Sequence, residues 1–119
     1  MILKAGHPRK RVCIEDSHVT YDLLSISGSS PERILEAVIG EYPPHYDCPL
    51  VTHDGEEFGY VLEGSITLIV DDKEYLLEPG DTFHFFSSHA HTVRNPTDQL
   101  AKVLLVLTLK FLEGGEKSL

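Results

Sequence analysis

Two histidines and a glutamate dominate the chemistry this chain can do. His53 and Glu57 are four residues apart with Gly55 between them, and His91 stands well downstream. On a regular strand, residues four apart project from the same face. Gly55 permits a local bend that would bring the imidazole and carboxylate heads together. His91 opens a separate strand-like stretch directly after a turn. Two imidazoles and one carboxylate that converge form a metal-ligand set with positions left open for a ligand or substrate.

The segments that must carry these residues read as strands. Gly, Pro, Asp and Asn break the chain at short intervals, and the stretches between are rich in Val, Ile, Leu, Tyr and Phe, the rhythm of an all-β sandwich or barrel. His18 to Ile26 reads as a strand ended by Ser27-Gly28-Ser29-Ser30-Pro31. Arg33 to Tyr42 has some helical propensity, but its β-branched residues, Gly40 and the Pro43-Pro44 stop favour a strand. Pro43 to Pro49 reads as a loop. Gly59 to Val70 reads as one strand bent at Glu63-Gly64, and Asp71-Asp72-Lys73 as a tight turn into Glu74 to Leu77. Thr82 to Phe86 and His91 to Arg94 follow as strands. Lys102 to Leu109, nearly all apolar, is expected to be buried on both faces.

With 119 residues and 41% hydrophobic residues, the chain is one domain with one ordinary core. Residues 1–18 read as an N-terminal arm, and the polar stretch from Glu113 as a frayed tail. The net charge of -9, from 19 acidic and 10 basic residues, repels phosphate backbones and argues against direct nucleic-acid binding. The small cluster Arg9-Lys10-Arg11 reads as part of a solvated arm. No apolar run approaches membrane-spanning length. Met1-Ile2-Leu3-Lys4 leads straight into polar sequence with no sign of a signal peptide. Cys13 and Cys48 follow no paired pattern, so reduced thiols in a cytoplasm are expected.

The stretch from about 43 to 109 resembles the cupin family. The usual signature has a glycine, five residues, His-x-His, three or four residues, Glu, six residues and Gly. Its second half has Gly, five residues, Pro-x-Gly, two residues, His, three residues and Asn. His53 takes the place of the second histidine, Glu57 of the glutamate and Gly64 of the closing glycine; Gly80, His91 and Asn95 match the second half. Val51 stands where the first histidine is usual, His45 where the first glycine is, and Phe86-Ser87-Ser88 where Pro-x-Gly is.

The resemblance implies a double-stranded β-helix, a small jelly-roll barrel. It also implies a divalent metal (Fe, Mn, Zn or Ni) on His53, Glu57 and His91, the two-histidine, one-carboxylate type associated with non-haem Fe(II). His89 shares strand parity with His91 and is a candidate additional ligand; His84 is a weaker one. Val51, Tyr60, His84, Phe85, Val93 and Asn95 are the candidate pocket residues, with Asn95 more often a turn-fixing residue than a substrate contact.

The phrase Gly55 to Gly64, with Phe86-Ser87-Ser88, Arg94-Asn95-Pro96 and the early Val19 to Ser25, is similar to the sensor half of bacterial regulators that join a helix-turn-helix domain to a C-terminal cupin. Nothing here has helix-turn-helix periodicity. The expected function is a cytoplasmic small-molecule sensor, a homodimer since cupins commonly pair through strand edges. The alternative is a stand-alone metal-dependent dioxygenase or isomerase.

Overall fold

A computed structural model describes residues 2–13, 19–24 and 34–108, and among these described residues nine antiparallel strands form. They are β1 (Arg11–Cys13), β2 (Thr20–Leu23), β3 (Leu35–Tyr42), β4 (Glu56–Glu63), β5 (Ile66–Val70), β6 (Lys73–Leu77), β7 (Thr82–Phe86), β8 (His91–Arg94) and β9 (Ala101–Thr108). A six-stranded sheet runs β1-β2-β3-β9-β4-β7, and a three-stranded sheet runs β6-β5-β8. Two sheets that share one apolar interior are the jelly-roll arrangement.

Alternation builds that interior. On β9, Ala101, Val103, Leu105 and Leu107 are buried, while Lys102, Leu104, Val106 and Thr108 are only partly so. The expected double burial of this strand is therefore corrected: in a mainly antiparallel sandwich a central strand still has an outer face. Val19, Val38, Tyr42, Val61 and Ile66 complete the core. Each such aliphatic side chain contributes about 1.5–3 kcal/mol when fully buried.

The stretch read as one bent strand from Gly59 to Val70 is two. It begins earlier, at Glu56, and breaks after Glu63, so that β4 belongs to the large sheet and β5 to the small one. The turn between β5 and β6 is confined to Asp71 and Asp72, both at positive φ (51° and 67°), with Lys73 already paired to Val70. Positive φ at both central residues is the type that matches strand twist in a two-residue hairpin. The segment expected to be a strand rather than a helix is β3, over Leu35–Tyr42. The N-terminal arm is structured in part. β1 pairs with β2, and Arg11 binds both carboxylate oxygens of Asp22 (2.6 and 2.9 Å) and reaches Glu41 (3.2 Å). The expected turn from Ser27 to Pro31 and the tail from Glu113 lie outside the described residues.

Candidate metal centre

Three segments deliver the three side chains. Glu57 lies near the start of β4 with its side chain inward, between its cross-strand partners Phe85 on β7 and Leu107 on β9. His53 precedes β4 in the loop that turns at Asp54-Gly55. Gly55 has φ +97°, and a Cβ there would run into the Thr108 hydroxyl; only glycine accepts both conditions. His91 begins β8, where its backbone exchanges two hydrogen bonds with Val51 (2.9 and 3.0 Å).

The side chains meet. Nε2 of His53 and Nε2 of His91 each lie 3.0 Å from Oε2 of Glu57. Among the described residues, these three are the group of potential metal ligands whose donor atoms fall within 4.8 Å of one another. Their side chains are only 18% (His53), 12% (Glu57) and 7% (His91) exposed. The far nitrogen of each ring is committed: His91 Nδ1 donates to the His89 carbonyl (2.7 Å), and His53 Nδ1 donates to the Asp54 carbonyl (3.1 Å). A carbonyl can only accept, so each Nδ1 carries a proton and each Nε2 of a neutral ring presents a lone pair.

Two lone pairs aimed at one carboxylate oxygen repel unless a cation lies among them. Either two protons or one metal ion satisfies the arrangement. The donor set fits an ion: two ligands held at about 2.1 Å and at right angles are about 3.0 Å apart.

Electrostatics follow from the same contacts. Burial between Phe85 and Leu107 pushes the Glu57 carboxyl up. The hydrogen bond and charge of His91, the Ser87 hydroxyl and the charge of His53 outweigh that and hold it below the usual carboxylate range. Burial lowers His91, but its bond to Glu57, the His89 carbonyl and the Glu57 charge raise it above the ordinary imidazole range.

The remaining candidates divide between the two faces of the sheet. Phe85 is at the site: its ring centroid is 4.9 Å from that of His91, with Phe83 stacked behind it at 5.9 Å. Val93 packs against the core. Val51 is 47% exposed beside His91. Tyr60 and His84, expected at the pocket, face the other way. Glu57, Gly59 and Val61 point inward, so alternation sends Tyr60 outward, and His84 sits opposite Phe58 and binds Glu56 at 2.6 Å.

The His89 ring turns to Asp71 (2.5 Å) and stands outside the ligand group; His89 reaches the site through its carbonyl. Asn95 is fully buried and clamps a turn. Its Nδ2 donates to the carbonyls of Tyr42 and Gln99 (3.0 and 2.8 Å), and its Oδ1 accepts from the Thr97 N–H and hydroxyl (3.0 and 2.8 Å). The Cys48 carbonyl accepts from the Thr92 hydroxyl (3.0 Å).

Two residues escape the sequence reading. Ser87, legible only as a turn residue, is fully buried and donates to Glu57 Oε2 (3.0 Å). Glu36 is 5% exposed on the inner face of β3, where its cross-strand partner Leu107 is also that of Glu57. The apolar residues on both sides of β3 hide which way Glu36 points.

An all-β sandwich with a two-histidine, one-glutamate cluster at its inner wall defines the class. The chain belongs to the cupin family: residues 38–107 match the family described as Cupin_2, cupin domain. It is 26% identical over 80 residues to the HTH-type transcriptional regulator PuuR of Escherichia coli (strain K12), an alignment covering 66% of this chain and 43% of that protein. The chain thus spans less than half the length of the curated relative it matches. Among solved structures, an RmlC-like cupin from Shewanella frigidimarina NCIMB 400 superposes with a TM-score of 0.73 at 19% identity, covering 88% of this chain and 87% of the other. The polyketide cyclase RemF from Streptomyces resistomycificus gives 0.76 at 20% identity, covering 92% and 81%. At these identities the superpositions establish the fold alone. Among the described residues, no helix is long and apolar enough to cross a membrane.

Proposed function

We propose that this domain holds a divalent metal ion on His53, Glu57 and His91 and binds a small molecule beside it. In this reading it serves as the ligand-sensing domain of a bacterial transcriptional regulator or a close relative of one. The observation that carries the metal is the convergence of two Nε2 atoms on Glu57 Oε2 while both Nδ1 protons are taken by carbonyls. Bound there, Fe, Mn, Zn or Ni would supply a Lewis-acid centre with coordination positions left for a ligand. His53 and His91 would hold it through Nε2 and Glu57 through Oε2, with Phe85 walling one side.

The sensing role rests on the similarity to the regulator PuuR. In this reading the domain is a cytoplasmic homodimer, with DNA contact made elsewhere than in this acidic chain. Phe58, Tyr60 and Leu62 on the outer face of β4 are 37%, 40% and 43% exposed, which favours self-association. Sedimentation velocity tests this: a dimer at micromolar concentration is expected, and a monomer at every concentration contradicts it.

A second reading, a metal-dependent dioxygenase or isomerase, is favoured by the ligand set itself, since three protein ligands on one side leave room for substrate and O2. Metal-dependent O2 consumption across candidate substrates separates the two. A turnover abolished by His91→Ala favours the enzyme, and ligand-induced stabilisation without turnover favours the sensor.

A further inference from the structure

We infer that the Ser87 hydroxyl is a positioning group of the metal centre, holding Glu57 with Oε2 turned toward the two imidazoles. The inference rests on the metal reading above and adds to it a residue that no family signature assigns.

Ser87 is fully buried in the turn after β7 and is bonded three ways to the ligand-bearing segments. Its N–H donates to the Gly55 carbonyl (2.9 Å), and its carbonyl accepts from the His53 N–H (3.0 Å). Its backbone therefore grips the His53 loop on both sides of the bend at Asp54. Its Oγ–H donates to Glu57 Oε2 (3.0 Å), the oxygen that both imidazoles face. Four residues later the chain delivers His91. One residue thus sets the spacing among all three ligands.

A carboxylate oxygen has two lone-pair directions. The hydroxyl takes one on Oε2 and leaves the other toward the imidazoles. Turning the carboxylate to present Oε1 in place of Oε2 gives up the serine bond. Oε2 is thereby held in the direction that a ligand to an ion shared with His53 and His91 would need. Partners of metal ligands characteristically act in this way, by orienting the ligand before the ion arrives.

Ser87→Ala isolates the hydroxyl, because the two backbone bonds remain. The probe is Co(II), titrated into chelator-treated native, Ser87→Ala and Ser87→Thr proteins, with affinity, the visible d–d spectrum and the metal-free melting temperature recorded. The expected result is about 10- to 100-fold weaker Co(II) binding by Ser87→Ala. Its spectrum should shift, its metal-free melting should stay close to native, and Ser87→Thr, which keeps the donor, should retain native affinity and spectrum. Ser87→Ala binding Co(II) as tightly as the native chain with the same spectrum overturns the inference and leaves the metal centre standing. A Thr variant as weak as the Ala variant, with both melting like the native chain, also overturns it. A native chain that binds no Co(II) overturns the metal reading itself, and this role with it.

Discussion

His91 and Glu57 face each other, Nε2 to Oε2, at 3.0 Å, while the other nitrogen of His91 is pinned by the carbonyl two residues before it. That pairing fixes the ring orientation and leaves the charge of the contact to whatever cation occupies it. A proton on His91 and a metal ion are alternatives there, so stability and metal affinity respond to pH in opposite senses.

In metal-free protein, His91 is raised above its ordinary value of 6.5. Its contribution is fully present below 6.5 and is lost as pH rises through the higher folded-state value. Glu57 is lowered from 4.5, so its contribution is present above 4.5 and is lost as pH falls through the lower folded-state value. The melting temperature of the chelator-treated native chain should exceed that of His91→Asn by the widest margin between 4.5 and 6.5. Metal affinity should instead climb above that window, because a ligating imidazole must first lose its proton. A margin that keeps growing toward alkaline pH would contradict the pairing.

Removing the Asn95 side chain strips four hydrogen bonds and leaves the buried carbonyl of Tyr42 without this partner. Asn95→Ala is expected to cost about 2–4 kcal/mol in urea denaturation, since stranded buried polar groups lose their desolvation energy in full. Co(II) affinity at a temperature where the variant is folded should change little. A loss below about 0.5 kcal/mol, the range of ordinary surface substitutions, would show that the turn does not depend on the clamp.

Val51 and His91 form a directly opposed, doubly hydrogen-bonded pair, and side chains so paired project to the same side. Val51 also stands where the family signature usually has its first histidine. Val51→His should therefore add a third imidazole, and a fourth ligand, beside His91 and tighten metal binding by about tenfold or more, equivalent to about 1.4 kcal/mol. Competition against a chelator of known affinity reads this directly. An unchanged affinity would mean that position 51 is too exposed, at 47%, to reach the ion.

Much of the fold was legible because turn residues and alternating apolar stretches are local signals. β7 and β8 begin and end where the sequence places them, and the hairpin at Asp71-Asp72 is a composition signal read directly. The break between β4 and β5 was legible only as a bend, because Glu63-Gly64-Ser65 interrupts the apolar pattern without showing whether one strand bends or the chain changes sheets. The convergence of His53, Glu57 and His91 was suggested by their spacing and by the family signature. The outward turn of Tyr60 and His84 depends on strand phase, which one residue of register reverses. Ser87 was invisible for a different reason: its hydroxyl bonds a partner 30 residues away in sequence, and nothing local distinguishes it from the exposed Ser88 beside it.

Metal content is the most direct test of the centre. Native chain and the double variant His53→Ala/His91→Ala, both purified without chelator or metal-affinity resin, would be compared by elemental analysis, with circular dichroism to establish that each is folded. Near-stoichiometric Fe, Mn, Zn or Ni in the native chain and none in the double variant is the predicted result. A well-folded native chain that carries no metal, and takes none up when titrated, would contradict the metal centre and leave the two imidazoles to be held against Glu57 by protons alone.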